Sequence, residues 1–525
     1  MFSCLDTSIV STALVTISVD LGNSQDATWT ILGYLLTYMS FAVSFSKLSD
    51  IYGRKNLLAV AWLFFSGFSI LCASARTMTQ LIIGRALQGI GGSGLYSLAQ
   101  VCLVEQGPNR PEVVGALVGL TLSISYVLGP LLGGAISGWS WRGVFWINVP
   151  FGALAMIGVY TLWPEERRTK YDSRTAISKI DFIGNTLLIG ATILLFFAIE
   201  QAGSFVWQWS SPVIICSLVV SGVCWILLSI WESYLFYGRS QQIEPIFPLR
   251  LAVGRVYLSC LIVTLLTGFI YIALVITIPE RLQIVYGDNP LGAGIHLLPM
   301  LGCCAFGSFL GGAVSKQKNL TSQTLIIASG LQVLGLGLLY GYTGPDSPTQ
   351  IRFMLGFTAI YGLGVGLCFA ACTMIAAIEA RNDDLATAQG AVAQSRIFGG
   401  ALGLAVCTVL FNEKLQRALG PGSGSSLSPA DLDELHRSPI AVVHLSAESQ
   451  LEVKAVYFGA FRNQMLTMLV VAIAAALVSF GTYRARPSPI IEAMVGHSKD
   501  RTGDVDSTAG ETELESSSSV RSLIH

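Results

Sequence analysis

The sequence predicts an all-α protein that crosses a membrane many times, and three observations carry that prediction. Hydrophobic residues make up 52% of the 525 and charged residues only 12%, about half the charge usual in soluble domains. Of 31 basic and 32 acidic side chains, 22 fall within 412–462 and 485–525, which leaves the rest of the chain nearly free of charge. Apolar runs long enough to span about 30 Å of hydrocarbon recur at nearly regular spacing. In hydrocarbon every backbone polar group must be bonded within its own segment or a closed barrel. Barrel strands alternate apolar and polar residues, whereas 57–75 is almost continuously apolar, so the runs are helices.

The runs place spans near 1–20, 28–46, 57–75, 79–104, 113–137, 144–163, 181–202, 211–231, 256–278, 291–314, 323–343, 353–377, 388–411 and 463–483. Basic residues in short loops orient them. With the N-terminus cytosolic, the inner short loops hold fifteen Lys and Arg and the outer ones four: Arg76, Arg142, Arg281 and Arg352. Both termini are then expected in the cytosol. Residues 412–462, with Gly420 to Ser426 at their centre, read as a long external loop. Residues 485–525, rich in Ser, Thr, Asp and Glu, read as a disordered cytosolic tail with Ser516 to Ser519 open to phosphorylation. The sequon at Asn319 falls on the cytosolic side and is expected to stay unglycosylated. The run from Met1 lacks a basic segment and a cleavage site, so no removable signal is expected; a cytosolic leader ahead of Met1 is.

Composition also excludes classes of function. A net charge of −1 gives no reason to expect nucleic acid, and all eleven cysteines sit in apolar runs as small hydrophobes, without a disulfide or metal pattern. No nucleotide loop or paired His ligands appear, so neither enzyme chemistry nor a cofactor is expected. His296, beside a span, reads as structural.

Ionisable groups inside a span are expensive, about 3 kcal/mol for an Arg or Asp at mid-bilayer, and mark candidate sites. Asp6 in the first span and Arg85 in the fourth are the clearest; Arg396 in the thirteenth follows, and Glu200 sits near a span end. Arg85 and Gln88 share a helix face beside Gly89, Gly91, Gly92 and Gly94, small residues that permit close helix contact. The pair reads either as a structural polar clamp or as part of coupling and cargo passage. Gly129, Pro130, Gly133 and Gly134 make a kinked, closely packed fifth span, as compatible with plain packing as with a gate. Between the second and third spans, Gly53 allows a tight turn that crowds Asp50, Arg54 and Lys55 together. Asp50 is placed to meet a helix N-terminus; a contact made in one conformation only is a latch.

These clusters together resemble the major facilitator superfamily, over all fourteen spans. Leu48 to Lys55 is similar to its loop signature between helices 2 and 3, with Ser46 in place of the usual first glycine. Arg85, Gln88 and Gly89 resemble its helix 4 signature, and Gly129, Pro130, Gly133 and Gly134 its antiporter signature on helix 5, with Ser125 replacing the first glycine. Fourteen spans, with Leu5 to Val10, Trp141 to Pro150 and Gln283 to Pro299, resemble the drug:proton antiporter branch, and most closely fungal toxin and multidrug efflux carriers.

The resemblance implies two six-helix bundles, 1–163 and 256–484, rocking about a midplane site, with two inserted, peripheral helices within 164–255. It implies antiport of a small organic compound against protons, with Arg85 in proton coupling; Asp6, the buried carboxylate of the first span, is the expected proton site, its affinity tuned by Arg85. Asp50, Gly53, Arg54, Lys55, Gln88, Gly89 and the helix 5 residues then act in the conformational switch. Tyr34, Phe269, Tyr271 and Phe398 are candidate cavity aromatics, for each of which plain packing is the competing reading. The expected partners are the cargo, protons and the bilayer; the expected state is a monomer in the plasma membrane, with the vacuole as alternative. Proton-coupled import, for example of a ferric siderophore, and a non-transporting receptor are the rival readings.

Overall fold

A computed structural model describes residues 2–21, 29–105, 139–163, 181–203, 207–237, 253–288, 290–315, 318–341, 348–380, 384–419 and 447–484, with scattered positions elsewhere, among them ten within 117–136. The tail from 485 and the glycine-rich centre of the 412–462 stretch lie outside the described residues, as do Pro130 and Gly134. Among the described residues every regular element is helical. In the first half these are α1 (Phe2–Asp20), α2 (Trp29–Ser40), α3 (Ala42–Tyr52), α4 (Arg54–Ala73), α5 (Met78–Glu105), α6 (Arg142–Trp146) and α7 (Asn148–Leu162). Then come α8 (Phe182–Gly203) and α9 (Pro212–Tyr237). The second half has α10 (Arg255–Val285), α11 (Pro290–His296), α12 (Leu298–Val314), α13 (Thr321–Gly341), α14 (Pro348–Glu379), α15 (Leu385–Leu419) and α16 (Ala447–Ser479).

Ten of the described helical segments are long and apolar enough to cross a bilayer, and the α2–α3 pair, bent by 46°, makes an eleventh as one broken span. Helix is also described at the first and fourth predicted spans, as α1 and α5, which are not among those ten. The α2–α3 bend follows Ser40, whose hydroxyl turns back to the Leu36 carbonyl at 2.7 Å, a pattern that bends helices.

Close packing follows from the glycines of α5. Gly89 and Gly91 stand about 200° apart around the helix, and each faces a different neighbour. A Cβ on Gly89 would collide with the Tyr34 carbonyl and Thr37 hydroxyl of α2; one on Gly91 would collide with the Ala61 and Phe65 backbone of α4. The same device joins α10 to α15 at Gly268, Gly399 and Gly403, and α12 to α14 at Gly307 and Gly366. In lipid the apolar faces gain little by leaving the solvent, so close backbone approach carries the association.

The two halves share one apolar core: Tyr34, Phe65 and Leu98 pack in the same cluster as Ile270, Met300, Phe369 and Met465. The helix α15 bridges them, packing on α3 and α5 of the first half and α10 and α16 of the second. Two boundaries differ from the sequence reading. Helix continues through 412–419 and resumes at Ala447, because Phe411, Leu415 and Leu419 find partners in Val453, Tyr457 and Ala460. The inserted helices also differ from one another. Of the candidate spans α9 is the least enclosed, whereas α8 packs on both α2 and α15: Thr192 bonds Ser40 at 2.9 Å, and Leu188 meets Val43 and Ala391. Helix α8 therefore covers the seam between the halves.

Candidate functional site

The costly groups of the first half meet at one point. Asp6 of α1 and Arg85 of α5 form an ion pair whose side chains are both fully buried. Gln88, one turn along α5, donates to Asp6 Oδ1 at 3.2 Å and to Ser69 Oγ at 3.1 Å, while its Oε1 accepts from Arg85 at 2.8 Å. Asn148, at the start of α7, donates to Asp6 Oδ1 at 2.9 Å and to Ser69 Oγ at 3.0 Å. Ser69 in turn donates to the Phe145 carbonyl at 3.0 Å, and Arg85 Nε to the Thr30 carbonyl at 3.0 Å. The guanidinium lies 4.1 Å above the Tyr34 ring. Among the described residues, Arg85, Gln88 and Asn148 all donate to the Asp6 carboxylate, which accepts at both oxygens. Five helices, α1, α2, α4, α5 and α7, therefore converge on a single buried charge pair.

A second cluster sits at the α3–α4 turn. Gly53 adopts φ of +90°, a conformation that side chains disfavour, and this places Arg54 over the end of α5. Arg54 grips Glu105 through two bonds, Nε to Oε2 at 3.0 Å and Nη2 to Oε1 at 2.8 Å. It also bonds Asp50 Oδ1 at 2.6 Å and the Ser49 hydroxyl. Asp50 of α3 is thus held by Arg54, the first residue of α4, across the Gly53 turn. Lys55 lies 5.3 Å from the Tyr160 ring. Close by, α3 meets α15: a Cβ on Gly390 would strike Ser46.

Between the two clusters runs a row of rings. Tyr34 stacks on Tyr38 with centroids 5.2 Å apart, Tyr38 lies 6.0 Å from Tyr96, and Tyr271 meets Phe369 edge-on at 5.4 Å. Arg396 joins the row across the seam, donating from Nη1 to the Tyr96 hydroxyl at 3.2 Å and lying 4.1 Å above Phe369. Of the four cavity aromatics expected from sequence, Tyr34 and Tyr271 belong to this row. Phe269 has its backbone against Gly403 and its ring in the core, and Phe398 is partly buried against that core. Gly129 and Gly133 are buried helical positions; the Glu200 side chain lies outside the described residues. Sequence reasoning missed Glu105, Ser69, Tyr96 and Phe369 as site residues. Only Glu105, a lone carboxylate at a span end, carried a visible signal.

Helices that cross a membrane repeatedly, with charges and aromatics enclosed between two halves, have the architecture of a membrane transporter. The Major Facilitator Superfamily profile matches residues 1–404, and the chain belongs to that superfamily. It is 36% identical over 489 residues to the MFS-type transporter FPY5 of Fusarium mangiferae, covering 91% of this chain and 80% of that one. Multidrug resistance protein 3 of Bacillus subtilis is 33% identical over 438 residues, 82% of each chain. The efflux pump FUS6 of Gibberella fujikuroi is 28% identical over 82% of this chain and 76% of its own length. Among solved structures, the proton:xylose symporter XylE matches with a TM-score of 0.55 at 12% identity, over 94% of this chain and 95% of that one; the likeness is one of fold. The protein is a multi-pass membrane transporter.

Proposed function

We propose that the chain exports a small organic compound in exchange for protons, by alternating access of two helical halves to one central site. The buried Asp6–Arg85 pair carries this reading. A proton reaching Asp6 removes the anion facing Arg85 and leaves the donors on the carboxylate mismatched. The guanidinium keeps Gln88 Oε1 and the Thr30 carbonyl but loses its counter-charge, and a rearrangement of α1 and α7 against α5 relieves the mismatch. A proton falling through 100 mV releases about 2.3 kcal/mol, and each pH unit about 1.4 kcal/mol. Together these terms sustain more than a hundredfold cargo gradient.

Arg54, Asp50, Glu105 and Lys55 form the latch in this scheme. Arg54 ties the α3–α4 turn to α5, and α3 leans on α15 at Gly390, so the cluster braces closure of its own end. With that end cytosolic, as the basic loops favour, the arrangement is outward-facing. Gln88, Gly89, Gly129 and Gly133, and with them Pro130 and Gly134, act in this reading as the packing surfaces that slide. The likeness to proteins named as efflux pumps, LUC4 and FUS6, supports the export direction. The carrier works as a monomer in the plasma membrane, with both termini cytosolic and the proton gradient in place of any cofactor.

Purified protein in vesicles, offered labelled organic compounds, tests the proposal. Acid imposed inside should drive uptake by an antiporter. Uptake driven only by acid outside would instead mean a symporter, and binding without flux a receptor.

A further inference from the structure

Arg54, Arg85 and Arg396 differ in one respect. Arg85 has Asp6, and Arg54 has Asp50 and Glu105. Arg396, with only 3% of its surface exposed, has no carboxylate within ion-pair distance among the described residues, and its Nε and Nη2 are buried without a hydrogen-bond partner. Its one hydrogen bond, to the Tyr96 hydroxyl at 3.2 Å, is at the long end of the normal range and reaches a neutral acceptor. A buried guanidinium without an anion is among the least favourable states a protein interior holds. An unmatched charge that persists between moving halves calls for a matching charge that arrives from elsewhere.

The surroundings define what fits. Phe369 offers its ring face to the guanidinium, with Tyr271 edge-on behind it. Across the seam stand Tyr96 and Tyr38. One turn beyond Tyr96 on α5 lies the buried Gln100, whose amide oxygen has no hydrogen-bond partner among the described residues. Two planar donors on Arg396 match the two oxygens of a carboxylate or of an enolised dicarbonyl, and the rings match a flat conjugated body.

We propose that Arg396 is the anion-recognition point of the cargo site, and that the cargo is an organic anion, a carboxylate or acidic enol carried on a flat conjugated skeleton. This deepens the export reading and rests on it only in calling the ligand cargo.

The test is equilibrium binding to purified full-length protein in detergent at one pH with no gradient, so that its outcome is independent of proton antiport. The probes are 2-naphthoate, methyl 2-naphthoate and 2-naphthylmethylammonium, which share a ring system and differ in charge. The expected result is at least a tenfold preference for the carboxylate over the ester, with the ammonium weakest. In Arg396→Gln the carboxylate-to-ester ratio should fall to about one, and in Arg396→Lys part of the preference should remain. Wild-type protein that binds the carboxylate no better than the ester, or binds neither, overturns the proposal, as does Arg396→Gln with the preference intact. If Arg396→Gln fails to fold, the wild-type ratio and the Lys variant decide. Vesicle flux that ignores a pH gradient, with the charge preference present, would remove antiport and leave this site standing.

Discussion

Neutralising the Asp6–Arg85 pair one partner at a time, and then both together, separates a buried ion pair from two independent polar residues. Both side chains are fully buried, and Arg85 meets no other carboxylate among the described residues. Asp6→Asn therefore strands a guanidinium, and Arg85→Gln strands a carboxylate. Breaking a buried pair from one side costs about 3–5 kcal/mol. The double variant leaves two amides among Gln88, Asn148 and Ser69, groups that donate and accept. Its cost should be about 2 kcal/mol, for the volume lost at Arg85 and imperfect bonds. The two single variants should therefore melt well below the double one. The assay is the apparent melting temperature of purified protein in detergent, followed by tryptophan fluorescence, alongside gradient-driven export in vesicles. All three variants should lose gradient-driven export. If the double variant falls by the sum of the singles, the two charges are not paired. If Asp6→Asn exports with an unchanged pH profile, the proton site lies elsewhere, with Glu200 the next candidate.

Three further outcomes follow from the geometry. Glu105→Gln removes the two-pronged grip of Arg54 on α5 while leaving Asp50 in place; export should slow several-fold with about 1–2 kcal/mol lost in stability, and an unchanged turnover would free the latch from the cycle. Gly89→Leu forces side-chain atoms into the Tyr34 carbonyl and should sharply reduce monodisperse protein on size exclusion, since overpacking costs about 1–3 kcal/mol or more; Gly330→Ala, with no atom within 4 Å of the added carbon, should behave as wild type. Asp20→Asn breaks a pair with Arg142 whose side chains are 49% and 38% exposed; exposed pairs contribute little to stability, so the melting temperature should barely move, and a large drop would show a tie between α1 and α6 stronger than the exposure implies.

The sequence by itself determined the architecture, because a bilayer leaves an apolar chain so few options. Length and hydropathy count the spans, and basic loops propose their orientation. The price of burying a charge then singles out Asp6, Arg85 and Arg396 before any coordinate is known. What the sequence did not carry is who meets whom. Asp6 and Arg85 are 79 positions apart, and Arg396 and Tyr96 are 300 apart; no local period links them. Ser69 and Phe369 look like any other residue of an apolar helix until α4 and α14 are turned to face their neighbours. The reach of α15 to Leu419 and the early start of α16 were likewise hidden, since helix there is held by partners on another helix. Periodicity reports which face of a helix is apolar; only packing of the helices decides which faces touch, and so gives Arg85 a counter-charge and leaves Arg396 without one among the described residues.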